Sequence, residues 1–360
     1  MKIVQLLPEL NEGGVERGVV ELGRELAKKG FTSVVISSGG KLVSQLENEG
    51  SLHIEFDVCS KNPLNIPFRV HGLKKILKEL KPDVLHVRSR VPAWLVHFAN
   101  KSLKIPVVST VHGFNSVSFY SEIMTKADSV ICVSGAIKEY IQKHYNTPSE
   151  KITIIPRGID LEKFNPENLD NLFIKEFKEE FSLEGKFVVS TVGRITQLKD
   201  LETFIRAISI LQKEDKKVIG VVVGGVRDDK KEYFNTLKAL IKALHVEVIF
   251  ARSQSKVAEV YALSDVIVSS SKKPESFGRS VAEALALNTP VIATNHGGVL
   301  DIIQNNKNGY LFEIGDFNEL AKKIKLATKL KFDGFSYIKE NFSLEQMVKK
   351  TVEVYKKYEK

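Results

Sequence analysis

Short apolar runs alternate along this chain with amphipathic stretches, and the alternation occurs twice. In the first half, Lys2–Leu7, Thr32–Ser37, His53–Phe56, Val84–Val87, Val107–Val111, Ser129–Val133 and Ile152–Ile155 are β-branched runs of strand length. Val15, Val19, Leu22 and Leu26 recur between the first two at helical spacing, with Gly30 where a C-terminal cap belongs. Asn65-Ile66-Pro67 reads as a helix start, Asn65 being the N-cap, and Pro82 closes that helix. From 157 to 186 the periodicity gives way to charge, proline and asparagine, which reads as a linker carrying a helix near Leu172–Phe181. The alternation then resumes. Strands are expected at Phe187–Val192, Val218–Val223, Val246–Phe250, Val266–Ser269, Val291–Ala293 and Tyr310–Phe312. Helices are expected at Leu201–Leu211, Lys231–Leu244, Lys256–Leu263 and Arg279–Leu287, and in the tail at Phe317–Leu330 and Ser343–Tyr358.

Strands apolar on both faces and separated by helices make parallel sheets covered on both sides. The expected fold is therefore α/β, with two tandem doubly wound Rossmann-like domains facing a central cleft. Residues 1–160 form the first, 161–186 the linker and 187–340 the second, while a terminal helix in 341–360 could cross back to the N-terminal domain. A length of 360 residues suits two such cores.

Composition narrows the classes of function. A chain 43% hydrophobic and 27% charged is globular, and no run approaches the 18 apolar residues of a membrane span. Pro8 interrupts the first apolar run, so a signal peptide is not expected, and two cysteines supply no disulfide framework; a cytoplasmic location follows. The net charge of +9 is spread: residues 1–160 hold 21 basic and 16 acidic side chains, leaving 32 and 28 for the rest. No basic stripe interleaved with aromatics is present, so nucleic acid is not an expected partner, whereas an anionic small molecule or membrane surface is. The basic residues of Arg69–Lys81 read as a solvated helix face able to rest on anionic lipid. The eight histidines form no metal-ligand motif, so neither a metal nor another cofactor is expected.

Three motifs stand at expected carboxyl ends of strands. Gly13-Gly14 precedes a helix and lets backbone approach a ligand, although the spacing is not that of a dinucleotide fingerprint. Gly193-Arg194 with Lys199 places two cations before a helix whose N-cap is expected at Asp200, a setting suited to a diphosphate. Glu275-Ser276-Phe277-Gly278-Arg279 leads to Glu283, eight residues from Glu275 and close to two helical turns, so both carboxylates could face one cleft and accept hydrogen bonds from sugar hydroxyls. His112 follows another strand, where it could equally be an ordinary loop histidine.

Together these motifs resemble glycosyltransferase family 4, which has the GT-B architecture and is retaining. The resemblance runs from Met1 to about Tyr358, and Arg88-Ser89-Arg90-Val91-Pro92-Ala93-Trp94 and Thr294–Gly298 look like a subgroup linked to bacterial lipopolysaccharide-core synthesis. It implies a metal-independent hexosyltransferase with a nucleoside-diphosphate sugar as donor and a glycan or glycolipid as acceptor, able to contact the membrane peripherally. It also implies roles. Arg194 and Lys199 would hold the donor diphosphate, Glu275 the transferred sugar and Glu283 the ribose, with amides of Phe277, Gly278 and Arg279 nearby. Gly13 and Gly14 would lie near the donor phosphates and acceptor, and His112 would approach the donor sugar. Gly113 stands where the family often has Asp, Ser276 where glycine is commoner, and Arg157 where asparagine is usual. A GT-B nucleotide-sugar epimerase and a basic binding protein for lipid or nucleic acid remain rival classes.

Overall fold

A computed structural model describes residues 1–11 and 13–359. The chain divides into two compact units, one formed by Met1–Gly158 with the segment from Leu344 onward, the other by Ile159–Ser343. Each is built on a single parallel sheet. Strands β1 (Lys2–Leu6), β2 (Thr32–Ser37), β3 (Leu52–Glu55), β4 (Val84–Val87), β5 (Val107–Val111), β6 (Ser129–Cys132) and β7 (Ile152–Ile154) lie in the order β3-β2-β1-β4-β5-β6-β7. In the second unit β8 (Phe187–Val192), β9 (Val218–Val223), β10 (Val248–Phe250), β11 (Val266–Ser269), β12 (Val291–Thr294) and β13 (Gly309–Phe312) lie in the order β10-β9-β8-β11-β12-β13. Both sheets are doubly wound, and their central strands are buried on both faces, as continuous β-branched runs require.

The order reverses between β1 and β4 in one sheet and between β8 and β11 in the other. Loops that leave the carboxyl ends of such neighbouring strands diverge to opposite faces and open a crevice, the usual ligand position of doubly wound sheets.

Local signals account for several boundaries. Helix Gly14–Lys28 ends in a Schellman turn: Gly30, at φ +80, donates to Ala27 O at 3.0 Å and Phe31 N to Leu26 O at 3.0 Å. Asn65 does not cap the next helix. Asn62 does, its side chain accepting from Leu64 N at 3.0 Å at the head of a short 3-10 turn that runs into helix Ile66–Leu80.

Two further expectations need correction. The helix expected near Leu172–Phe181 is present as Asn171–Glu180, but the stretch 161–186 is part of the second unit and not a linker, because Phe164, Phe177 and Leu183 are buried in that unit's core. Arg69, expected on a solvated face, is buried beside Asp57 and Asn62. The tail also contains a helix, Gly334–Phe342, that the pattern does not show. The last helix, Leu344–Lys356, belongs to the first unit and buries Leu344, Val348, Val354 and Tyr355 beside Ile3, Leu22, Leu26 and Val84. Such side chains contribute roughly 1.5–3 kcal/mol each when fully buried.

Candidate functional site

In the second unit, the loops after β8 and β11 are laced together at the switch point. Ser270 Oγ donates to the carbonyls of Lys199 at 2.8 Å and Asp200 at 3.1 Å, and Lys272 N donates to Leu198 O at 2.8 Å. This brings Lys199 Nζ to 2.5 Å from Glu275 Oε1, which also accepts from Ser271 Oγ at 2.6 Å. Asp200 stands at the expected N-cap position of helix Leu201–Glu214, but its side chain caps no backbone N–H. It sits in the left-handed region at φ 46, and its buried carboxylate takes Lys272 Nζ at 3.1 Å and the Thr203 hydroxyl at 2.8 Å. Arg194 is exposed on the same loop and makes no ion pair or hydrogen bond among the described residues.

Glu275 is placed by backbone. It forms a parallel bridge with Gly297, and Gly298 N donates to its carbonyl at 2.7 Å. Gly297, at φ +75, and Gly298 are required there, since a Cβ on either would stand 2.6 or 2.5 Å from a carbonyl oxygen of Glu275 or Ser276. His296 Nε2 lies 2.8 Å from Ser271 O, so that nitrogen carries the proton. Burial works to raise the Glu275 carboxyl, but the Lys199 ammonium, the Ser271 hydroxyl and nearby His296 hold it below the usual carboxylate range. It is ionised at neutral pH.

Glu283 is held separately. The two-turn relation expected between the carboxylates does not apply, because the helix begins only at Arg279 and Glu283 lies little more than one turn inside it. Arg279 Nε donates to Glu283 Oε1 at 2.8 Å and Tyr261 OH to Oε2 at 3.0 Å. Only 12% of the Glu283 side chain is exposed, so its charge depends on these two donors. Phe277 is a core side chain against Phe342, and Gly278 starts the helix at φ +101, where a Cβ would lie 2.6 Å from Val299 Cγ1.

The first unit holds a different cluster at its own switch point. His112 follows β5, and its Nδ1 lies 3.2 Å from Arg157 Nη2. A guanidinium only donates, so Nδ1 accepts and Nε2 carries the hydrogen. That Nε2 is buried without a partner. Arg157 Nη1 also donates to the Gly14 carbonyl, close above the helix that Gly13 caps in extended conformation. Burial and the neighbouring Arg88 and Arg157 keep His112 neutral, its pKa well below the usual histidine range. Directly after β4 stands Arg88, 8% exposed, beside fully buried His86, whose ring nitrogens pair with Tyr355 OH at 2.5 Å and Thr110 Oγ1 at 2.7 Å.

Six of the ten expected residues fall into three groups: Lys199 with Glu275, Arg279 with Glu283, and His112 with Gly14 through Arg157; Arg194, Gly13, Phe277 and Gly278 join none of them. Tyr261, Ser271 and Arg88 were not expected. Tyr261 reads as an ordinary apolar helix position, whereas Arg88, alone after an apolar strand, carries a signal that burial completes. No group of three His, Cys, Asp or Glu among the described residues is arranged to hold a metal ion.

Two doubly wound units with crevices at their switch points have the GT-B architecture of glycosyltransferases. A structure of a glycosyltransferase from Rickettsia africae ESF-5 superposes with a TM-score of 0.91 at 32% identity, covering 99% of this chain and 98% of that one. A model of Glycosyltransferase Family 4 matches residues 12–163, and one of glycosyl transferases group 1 matches residues 173–341. The chain belongs to glycosyltransferase family 4 and is a glycosyltransferase. Among sequence relatives, a Staphylococcus aureus protein named capsular polysaccharide biosynthesis glycosyltransferase CapM is 28% identical over 350 residues, 90% of this chain and 87% of that protein. The fold is shared with Anabaena Alr3699/HepE in complex with UDP and glucose, at a TM-score of 0.82 and 19% identity, covering 98% of this chain and 99% of that one.

Proposed function

We propose that this enzyme is a retaining, metal-independent hexosyltransferase. It takes a hexose from a nucleoside-diphosphate sugar and adds it to a hydroxyl of a growing bacterial envelope glycolipid such as lipopolysaccharide core. The observation that carries this reading is the Lys199–Glu275 pair at the β8–β11 crevice, with Glu283 poised by Arg279 and Tyr261 on the helix that follows.

Departure of a nucleoside diphosphate concentrates negative charge on its phosphate oxygens. Lys199 and exposed Arg194 supply the cations that stabilise it, Arg194 by a fork and Lys199 as a point charge. Glu275, held ionised, accepts hydrogen bonds from the hydroxyls of the transferred sugar. Glu283 accepts from the ribose hydroxyls, since each carboxylate oxygen keeps a second lone pair after bonding Arg279 or Tyr261. Amides at Phe277, Gly278 and Arg279 add donors at a helix start. In the first unit, Gly13 and Gly14 let phosphate or acceptor approach backbone, and the His112 Nε2–H offers a donor to an incoming oxygen. The HepE complex with UDP and glucose supports a nucleotide-sugar donor, and the name of CapM supports an envelope glycan.

A lipid-borne acceptor is supported by the first unit's surface. Ile66, Val91, Trp94, Leu95, Phe98 and Tyr120 line an apolar cavity of about 390 Å³, and Leu64, Phe68 and Phe119 stand exposed in the same unit. Basic side chains on helix Ile66–Leu80 suit an anionic membrane, and the reading places the enzyme at the inner face of the cytoplasmic membrane. No helix among the described residues is long and apolar enough to cross one.

Thermal-shift measurements against UDP-, GDP- and ADP-sugars test the donor directly, because a ligand bound only to the native state raises the melting temperature. One nucleotide series should shift it, with EDTA present. No shift from any of them would overturn the reading.

A further inference from the structure

The cluster around Arg88 has a charge imbalance that the donor reading does not use. Arg88 is 8% exposed, and no acidic side chain pairs with it among the described residues. Its Nε is buried without a hydrogen bond, and its Nη1 meets only the His86 ring nitrogens, at 3.5 and 3.4 Å. Burial lowers its pKa to about 10, so the guanidinium remains charged at neutral pH. A buried cation without a counter-charge costs several kcal/mol, and proteins keep one where a ligand completes the pair.

The surroundings specify that ligand. Arg88 Nη2 and Arg157 Nη1 lie 3.8 and 3.9 Å from the position a Cβ would take on Gly18, so two guanidiniums converge on the bare glycine of one helix face. Arg88 and Gly14 follow β4 and β1, the neighbouring strands where the sheet order reverses. Glu16 folds back over Gly13, so the side-chain donors carry the site and the helix amides are secondary.

Resting on the transferase reading above, we infer that Arg88 and Arg157 form a phosphate-binding subsite of the first unit that receives a phosphate group carried by the acceptor. Two guanidiniums match a tetrahedral dianion with several acceptor oxygens better than a single carboxylate. The donor diphosphate has its own cations in Arg194 and Lys199, which leaves this cluster to a second phosphate.

Equilibrium dialysis of radiolabelled inorganic phosphate against the full chain, saturated with whichever of UDP, GDP and ADP raises its melting temperature so that the donor site is filled, tests the assignment. The wild type should bind one equivalent, and Arg88→Gln should weaken binding on the order of 10- to 100-fold, the effect of losing a charge-assisted contact. Unchanged affinity in Arg88→Gln, or no phosphate bound by wild type, would overturn the proposal. If none of UDP, GDP and ADP binds, the donor reading fails, and dialysis of phosphate against Lys199→Ala decides the phosphate subsite alone. Gly18→Asp guards against a variant that fails to fold, because it places a carboxylate within reach of both guanidiniums. It should exclude phosphate while keeping or raising the melting temperature, and phosphate binding equal to wild type there also overturns the proposal.

Discussion

Replacing Lys199 by alanine separates the catalytic from the structural meaning of the Lys199–Glu275 pair. At 2.5 Å and an effective dielectric of about 20, the gross attraction is roughly 7 kcal/mol. Desolvation offsets most of it, and with 28% and 29% of the two side chains exposed, a net loss of about 1–2 kcal/mol is expected. For a unit of this size that lowers the melting temperature by roughly 2–8 °C. The loss has a defined pH dependence. Glu275 is held below its unfolded pKa, so the pair stabilises fully above the ordinary carboxylate range and ceases to do so as pH falls through the folded value. The stability gap between wild type and Lys199→Ala should therefore close in acid. Catalysis should suffer more. A preorganised cation facing a leaving diphosphate is worth about 10²- to 10³-fold in turnover, or roughly 3–4 kcal/mol. The assay is release of nucleoside diphosphate at saturating donor, for wild type, Lys199→Ala, Glu275→Gln and the double variant. If Lys199 acts on the leaving group, the double variant should be slower than Glu275→Gln alone. Equal rates for those two, or turnover of Lys199→Ala within twofold of wild type, would refute the reasoning.

Other outcomes follow from the same geometry. Tyr261→Phe leaves Glu283 with Arg279 alone; it should cost about 1–2 kcal/mol of stability by chemical denaturation and raise KM for donor more than it lowers kcat. Gly298→Ala drives a methyl group to 2.5 Å from the Ser276 carbonyl, so it should displace the Glu275 loop and lower turnover at least tenfold by about 1.4 kcal/mol of barrier, read by steady-state kinetics. Burial keeps His86 and His112 neutral, with Arg88 beside both, so the unfolded chain binds more protons in mild acid. Stability should fall as pH drops below about 6.5, and His112→Gln should flatten that slope in a pH series of melts. Trp94→Ala with Phe119→Ser should reduce sedimentation with phosphatidylglycerol vesicles while leaving donor binding unchanged.

Much of the architecture is legible because buried parallel strands must be short β-branched runs, and Val84–Val87 and Val266–Ser269 are such runs in both sequence and structure. The stretch 161–186 misleads because its apolar anchors, Phe164, Phe177 and Leu183, are too sparse to show a period, yet each is buried. Within the site, Glu275 and Glu283 stand out by chemistry, but their supports do not. Lys199 lies 76 residues from Glu275, and the contact of their loops is shown by tertiary hydrogen bonds such as those from Ser270 and Lys272. Tyr261 is spaced as a core residue and becomes a carboxylate donor through tertiary contact. Arg88 and Arg157 are visible as unusual cations at strand ends, whereas their convergence on Gly18 belongs to the fold.

Hydrogen exchange of the full chain, with and without a saturating nucleotide sugar, tests most directly where the donor binds. The account predicts slowed exchange in residues 193–200 and 275–283, the two loops joined through Lys199 and Glu275. Protection confined to the first unit, or none in those two segments while the nucleotide sugar is bound, would contradict it.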